Sequence, residues 1–76
     1  MIVIVKTKNN IFAGKEMRVN RYGETRMGKS VPTYNRFQAT EYRVDDVEGI
    51  RFAMSLLTRT LNEKPQNLIV ESVKTA

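Results

Sequence analysis

Apolar and polar positions along this chain follow two different periods, and the change from one to the other marks its elements. Between Asp45 and Asn62, in DDVEGIRFAMSLLTRTLN, the residues Val47, Ile50, Met54, Leu57 and Leu61 recur at spacings of three and four. At about 100° per residue they share one face, with Ala53 at its edge, so the spacing predicts an amphipathic helix. Asp45 is placed to cap its first turn and Glu48 to bond back, Asp standing where a capping box has Ser or Thr. Pro65 forces Lys64 out of helical backbone and ends the run. Phe52 and Leu56 lie roughly opposite the main stripe. Either the long second and third strands fold over them, or they form a partner contact patch.

Elsewhere the period is two, or the run is apolar throughout. Ile2–Val5 is apolar on both faces, which suits a central strand covered on two sides. Asn9-Asn10 predicts a tight turn, because Asn tolerates positive φ. From Ile11 to Tyr22 the odd positions Ile11, Ala13, Met17 and Val19 are apolar and the even ones after Phe12 mostly polar. This reads as a half-buried strand pairing back on the first, with a bulge at Gly14. Residues 23–33, GETRMGKSVPT, carry two Gly and one Pro and read as a flexible basic loop. Tyr34 to Val44 returns to strand composition with a phase shift near Thr40. Leu68 to Val73 closes the chain as a strand apolar enough to sit centrally, joined to the third strand by the helix. The expected class is α+β: one domain over 1–76, with a small antiparallel or mixed sheet of about four strands in ββ-loop-βαβ order. One amphipathic helix lies on one face. A single helix leaves the other face solvated, or covered by a second copy or a partner.

Composition narrows the function. A domain of 76 residues buries only about 60% of its unfolded surface and is marginally stable alone. Cys and His are absent, which removes disulfides, thiolate metal sites and the commonest general base and metal ligand. The acid–base candidates that remain are Glu16, Glu24, Glu41, the Asp45/Asp46/Glu48 group, Glu63, Glu71 and the tyrosines. Asp45, Asp46 and Glu48 are explained by the helix cap and dipole, and no nucleophile–base pair stands out. The reading is non-enzymatic, with no cofactor and no metal. No run approaches the roughly 20 apolar residues of a membrane span, and the short IVIV start lacks the features of a signal peptide. The expected location is the cytoplasm, away from membranes.

One motif invites a sharper reading. Gly23-Glu24-Thr25-Arg26-Met27-Gly28-Lys29-Ser30 matches the phosphate-cradling pattern GxxxxGKS letter for letter. That pattern works when the loop opens a helix whose N–H groups wrap a phosphate. Here Pro32 follows at once and the next segment reads as strand, so nucleotide hydrolysis is set aside. A basic, Gly-containing segment touching a phosphate is the description retained.

The net charge of +5 is uneven. Residues 1–43 hold nine Lys or Arg against three Glu, while residues 44–76 hold four against five acids. Such asymmetry points to an anionic partner for the first half. Lys15, Arg18, Arg21, Arg26, Lys29, Arg36 and Arg43 are interleaved with Tyr22, Tyr34, Phe37 and Tyr42. Cations neutralise phosphates and exposed aromatic faces stack on unpaired bases. Arg18 and Tyr22 share a strand parity pointing away from Ala13, Met17 and Val19, an outward ladder suited to single-stranded or irregular RNA. The nucleic-acid-binding set is therefore Lys15, Arg18, Arg21, Tyr22, Arg26, Lys29, Tyr34, Arg36 and Arg43. Phe52 and Leu56 are the partner-contact set for the alternative: a protein-only inhibitor or adaptor acting by surface occlusion, or a homodimer formed through the helix. In general character the chain resembles the small accessory proteins of tailed phages, short single domains of a few strands and one helix without Cys or His. Many of these inhibit host machinery by occupying a surface. The resemblance implies an inhibitor of a host nuclease or ribonucleoprotein that binds RNA.

Overall fold

The computed structural model describes residues 1–73. Five strands and one helix follow in the order β1 (Ile2–Thr7), β2 (Phe12–Val19), β3 (Thr25–Thr33), β4 (Tyr42–Arg43), α1 (Val47–Leu61) and β5 (Leu68–Val73), with 3-10 turns at Arg36–Gln38 and Pro65–Asn67. The α+β class, an antiparallel sheet with one helix, agrees with the pattern reading. No helix among the described residues is long and apolar enough to cross a membrane.

β1 is the axis of the sheet. β5 pairs antiparallel along one edge, from Ile2↔Val73 to Thr7↔Leu68. The opposite edge is shared: β2 meets β1 at Lys6↔Phe12, while β4 takes the far end at Val3↔Tyr42 and Ile2↔Arg43. Between these points residues 38–40 run along β2, through the Gly14↔Ala39 bridge and the Thr40 N–H donating to the Ala13 carbonyl at 3.0 Å. A Cβ built on Gly14 would fall on the Gln38 carbonyl and within 2.7 Å of Thr33 Cγ2. Gly14 is thus a point of close backbone approach, the other reason a strand carries glycine, and not the expected bulge. The bulge lies further out, where Gly28 and Lys29 together oppose Glu16.

Both faces of β1 are buried, as its unbroken apolar run predicts: Val3, Ile4 and Val5 are all nearly inaccessible. Val5, Ala13, Ala53 and Leu57 form the centre of the core beneath α1. Ile4, on the reverse face, looks toward the Arg36–Gln38 turn, where Ile4, Arg36, Phe37, Ala39, Glu41 and Val73 line a small cavity. Thr7 is the one buried polar side chain among the described residues. Its hydroxyl accepts from the N–H groups of Asn9 (3.2 Å) and Ile11 (3.3 Å) and so stabilises the β1–β2 turn. Asn10 in that turn has φ 62°, as the Asn-Asn pair predicts.

Several expectations need correction. The helix is capped by Asp46, whose Oδ1 accepts from the Gly49 N–H at 3.1 Å, rather than by Asp45. Moving the cap by one residue leaves Val47 in the first turn, 54% exposed, while Leu57 on the same stripe is fully buried. Residues 23–33, expected as a flexible loop, form β3 from Thr25 onward. The actual turn is Asn20–Glu24, where Gly23 takes φ 78° and the Asn20 carboxamide accepts from the N–H groups of Tyr22 and Glu24. This is a three-residue hairpin connection, with glycine at the left-handed position. Tyr34–Val44, expected as a strand, is mostly irregular, with a three-residue 3-10 turn capped by Asn35 and only two residues of strand. β5, expected to be central, is an edge strand.

Candidate nucleic-acid interface

The β2–β3 hairpin has a buried base and an exposed end. Phe12 and Ala13 anchor it in the core, whereas Arg18, Val19 and every residue from Arg21 to Arg26 are exposed. Eight residues of β2 span about 27 Å at strand rise, so the outer half is an arm. Five cations (Lys15, Arg18, Arg21, Arg26, Lys29) and two acids (Glu16, Glu24) lie on the hairpin. Its net +3 leaves +2 for the remainder of the chain, with eight cations against six acids.

Register decides how these charges meet. Arg18 lies directly opposite Arg26, so the two guanidinium groups leave the same face. Like charges in that relation repel. Glu16 offsets part of this, its Oε2 accepting from Arg18 Nη2 at 3.0 Å. Gly28, in the bulge, keeps that face narrow: a Cβ there would sit 3.2 Å from Arg18 Nε and from Glu16 Cβ. At the tip Arg21 lies beside Tyr22, its guanidinium carbon 5.9 Å from the ring centroid, and Tyr22 is 77% exposed. Tyr22 belongs to the turn and not to a strand ladder, which corrects the parity argument while leaving the ring outward. Lys15, opposite Ser30, shares the parity of buried Ala13 and so leaves the other face of the arm. Lys29 is exposed in the bulge.

The remaining predicted residues lie elsewhere. Tyr34 is exposed just beyond the base of the arm. Arg36 donates from Nη1 to Glu71 Oε2 at 2.8 Å, and Lys6 Nζ stands 3.5 Å from the other carboxylate oxygen. These cations hold the Glu71 carboxyl below its ordinary range, the Arg36 hydrogen bond contributing most. Arg43 faces Asp45 at 3.6 Å. Tyr42 packs against the core and onto the first turn of α1, where a Cβ on Gly49 would meet its ring at 2.8 Å. Burial raises the Tyr42 phenol above its ordinary value and the nearby Asp46 charge adds to this, against a hydrogen bond with Thr40. The proposed contact pair divides: Leu56 packs against the core while Phe52 is half exposed.

Phe37, counted among the interleaved aromatics but left out of the binding set, is 98% exposed on the 3-10 turn. The available signal was Asn35, whose side chain accepts from the Phe37 N–H at 3.0 Å and turns the chain away from strand geometry. Among the described residues no three acidic side chains gather in a metal-binding cluster. No protein-family model matches the chain, and no curated protein or solved structure matches it.

Proposed function

We propose that this protein binds RNA through the β2–β3 arm, with phosphates against Arg18, Arg26 and Lys29 and an unpaired base on Tyr22. The observation that carries the reading is the Arg18–Arg26 pair, two cations held opposite each other on one face of an exposed hairpin. A phosphate between them relieves their repulsion and gains two charge-assisted contacts. Tyr22, beside Arg21 at the tip, offers a stacking surface of a kind worth about 1–3 kcal/mol per base.

The competing substrate is duplex DNA, whose major groove admits a two-stranded ribbon. RNA with unpaired bases is favoured because stacking on an exposed tyrosine needs a free base face, and because the arm offers few groups to read base edges. Asn20 is consumed in its own turn and Glu16 by Arg18. Recognition is therefore tolerant of sequence, and the protein acts without catalysis by occupying an RNA or ribonucleoprotein surface, as an inhibitor of a nuclease would.

The test is binding to single-stranded RNA, duplex RNA and duplex DNA across a salt series. Neutralising three or four phosphates of a single strand gives a slope of log affinity on log salt of roughly −2 to −3, at about 0.7 per phosphate. Replacing Arg18, Arg21 and Arg26 together by Ser should remove most of that slope while the fold persists. A triple variant that binds as well as the parent refutes the arm. Salt-insensitive or absent binding to all three probes refutes the function and leaves protein-only docking.

A further inference from the structure

The two long edges of the sheet are built differently. β3, the edge beyond β2, carries a bulge at Gly28-Lys29, Pro32 within the strand, and exposed Arg26 and Lys29. Bulges, proline and inserted cations are the devices by which natural sheets prevent strand addition at an edge. β5, Leu-Ile-Val-Glu-Ser-Val, has none of them. It forms six consecutive pairs with β1 without a bulge, and among the described residues no strand pairs with its other side.

Its composition belongs to the middle of a sheet. Ile69 and Val70 point to opposite faces and are 40% and 42% exposed, so apolar surface is open on both sides of the edge. α1 packs over Val5 and Ala13 at the centre of the sheet, leaving Val70 partly uncovered on the helix side. The only charge on β5 is Glu71, already held by Arg36 and Lys6 of the same chain.

We infer that β5 is a self-association edge. Two copies pair their β5 strands antiparallel about a two-fold axis and join two sheets into one. A second copy is the occupant these features favour. Antiparallel self-pairing is isologous and closed, so among the described residues it leaves unpaired only the guarded β3 and the two-residue β4, too short to add a strand. Glu71 is neutralised in cis, so the joint brings no bare carboxylates together. The basic arms, β2–β3 of each copy, fall at the two far ends of the joined sheet, where the net charge of each chain opposes association least. The burial of Ile69, Val70 and the open strand edge supplies what a small domain of marginal core lacks. This inference does not rest on RNA binding.

Light scattering or sedimentation across a wide dilution series tests it, without nucleic acid. The full chain should run at twice its monomer mass at high concentration and dissociate on dilution. Val70→Lys, and separately Ile69→Lys on the other face, should each run as a folded monomer with an unchanged circular dichroism spectrum. The chain has no cysteine, so single cysteines at Ile69, Val70 and Ser72 give a direct second measurement. Disulfide cross-linking should be strongest at the β5 position nearest the axis and absent for Lys29→Cys on the arm. This second measurement stands even where a lysine variant fails to fold. A protein that is monomeric at all concentrations, a dimer unaffected by both lysine variants, or cross-linking no stronger on β5 than at position 29 overturns the assignment.

Discussion

Arg26→Glu should make the free protein more stable and its RNA complex weaker, and the opposed directions are what the Arg18–Arg26 register demands. Directly opposite positions on antiparallel strands bring Cβ atoms to about 4.5–5.5 Å, and such pairs change stability by about 0.2–1 kcal/mol. Coulomb's law agrees, since two unit charges about 7 Å apart in water interact by roughly 0.6 kcal/mol before salt screening. Reversing one sign turns a repulsion into an attraction. Because Glu16 already engages Arg18 at 3.0 Å, the net gain belongs near the lower half of that range, about 0.5 kcal/mol. For a domain of this size that raises Tm by roughly 2–4 °C. The complex loses one cation and acquires an anion on the contact face, which lowers the magnitude of the salt slope by about 1.4 at 0.7 per phosphate. Thermal melts followed by circular dichroism, and fluorescence anisotropy with single-stranded RNA at several salt concentrations, read the two quantities separately. Arg26→Gln should fall between parent and Arg26→Glu in both. A drop in Tm on charge reversal refutes the register argument, and an unchanged salt slope refutes the phosphate contact.

Three further variants probe the scaffold. Leu57→Ala, at a fully buried position on the inner face of α1, should lose about 2–5 kcal/mol, much of the stability of a domain this size, whereas Val47→Ala on the same sequence stripe should be near neutral; denaturant midpoints decide, and equal losses would refute the burial difference. Glu71 has a lowered pKa in the fold, so the stability it contributes is present above the ordinary value of 4.5 and is lost as pH falls through its lowered folded value. Arg36→Ala should therefore show a small Tm deficit at neutral pH that closes in acid, and a deficit independent of pH would assign Arg36 a purely packing role.

What the sequence determined alone was written in short-range terms, although the helix cap fell one residue later than its pattern suggests. The helix follows from apolar side chains three and four apart. The β1–β2 turn follows from Asn10, which accepts a left-handed backbone. The central place of β1 follows from four apolar residues in a row, Ile2 to Val5, that need cover on both faces. The concentration of cations before residue 44 was equally legible, because charge is a property of composition.

The tertiary structure decided what depends on distant partners. Residues 25–33 look like a loop in isolation, with two glycines just ahead of or within them and one proline, yet become strand because β2 offers a complementary edge and the Gly28-Lys29 bulge absorbs the irregularity. Residues 34–44 have strand composition but find only the gap between β1 and β2, so just Tyr42 and Arg43 pair as strand. Arg18 and Arg26 are eight residues apart in sequence, and only the register across the Asn20–Glu24 turn makes them neighbours. β5 reads as central and lies at an edge, because its apolar pattern records how much cover it wants and not where the chain can supply it. Periodicity and capping act over a few residues of backbone; register and edge position are set by pairing energies between separate segments, from the eight residues between Arg18 and Arg26 to the whole chain between Ile2 and Val73, and a residue's own neighbours do not show which partner it meets.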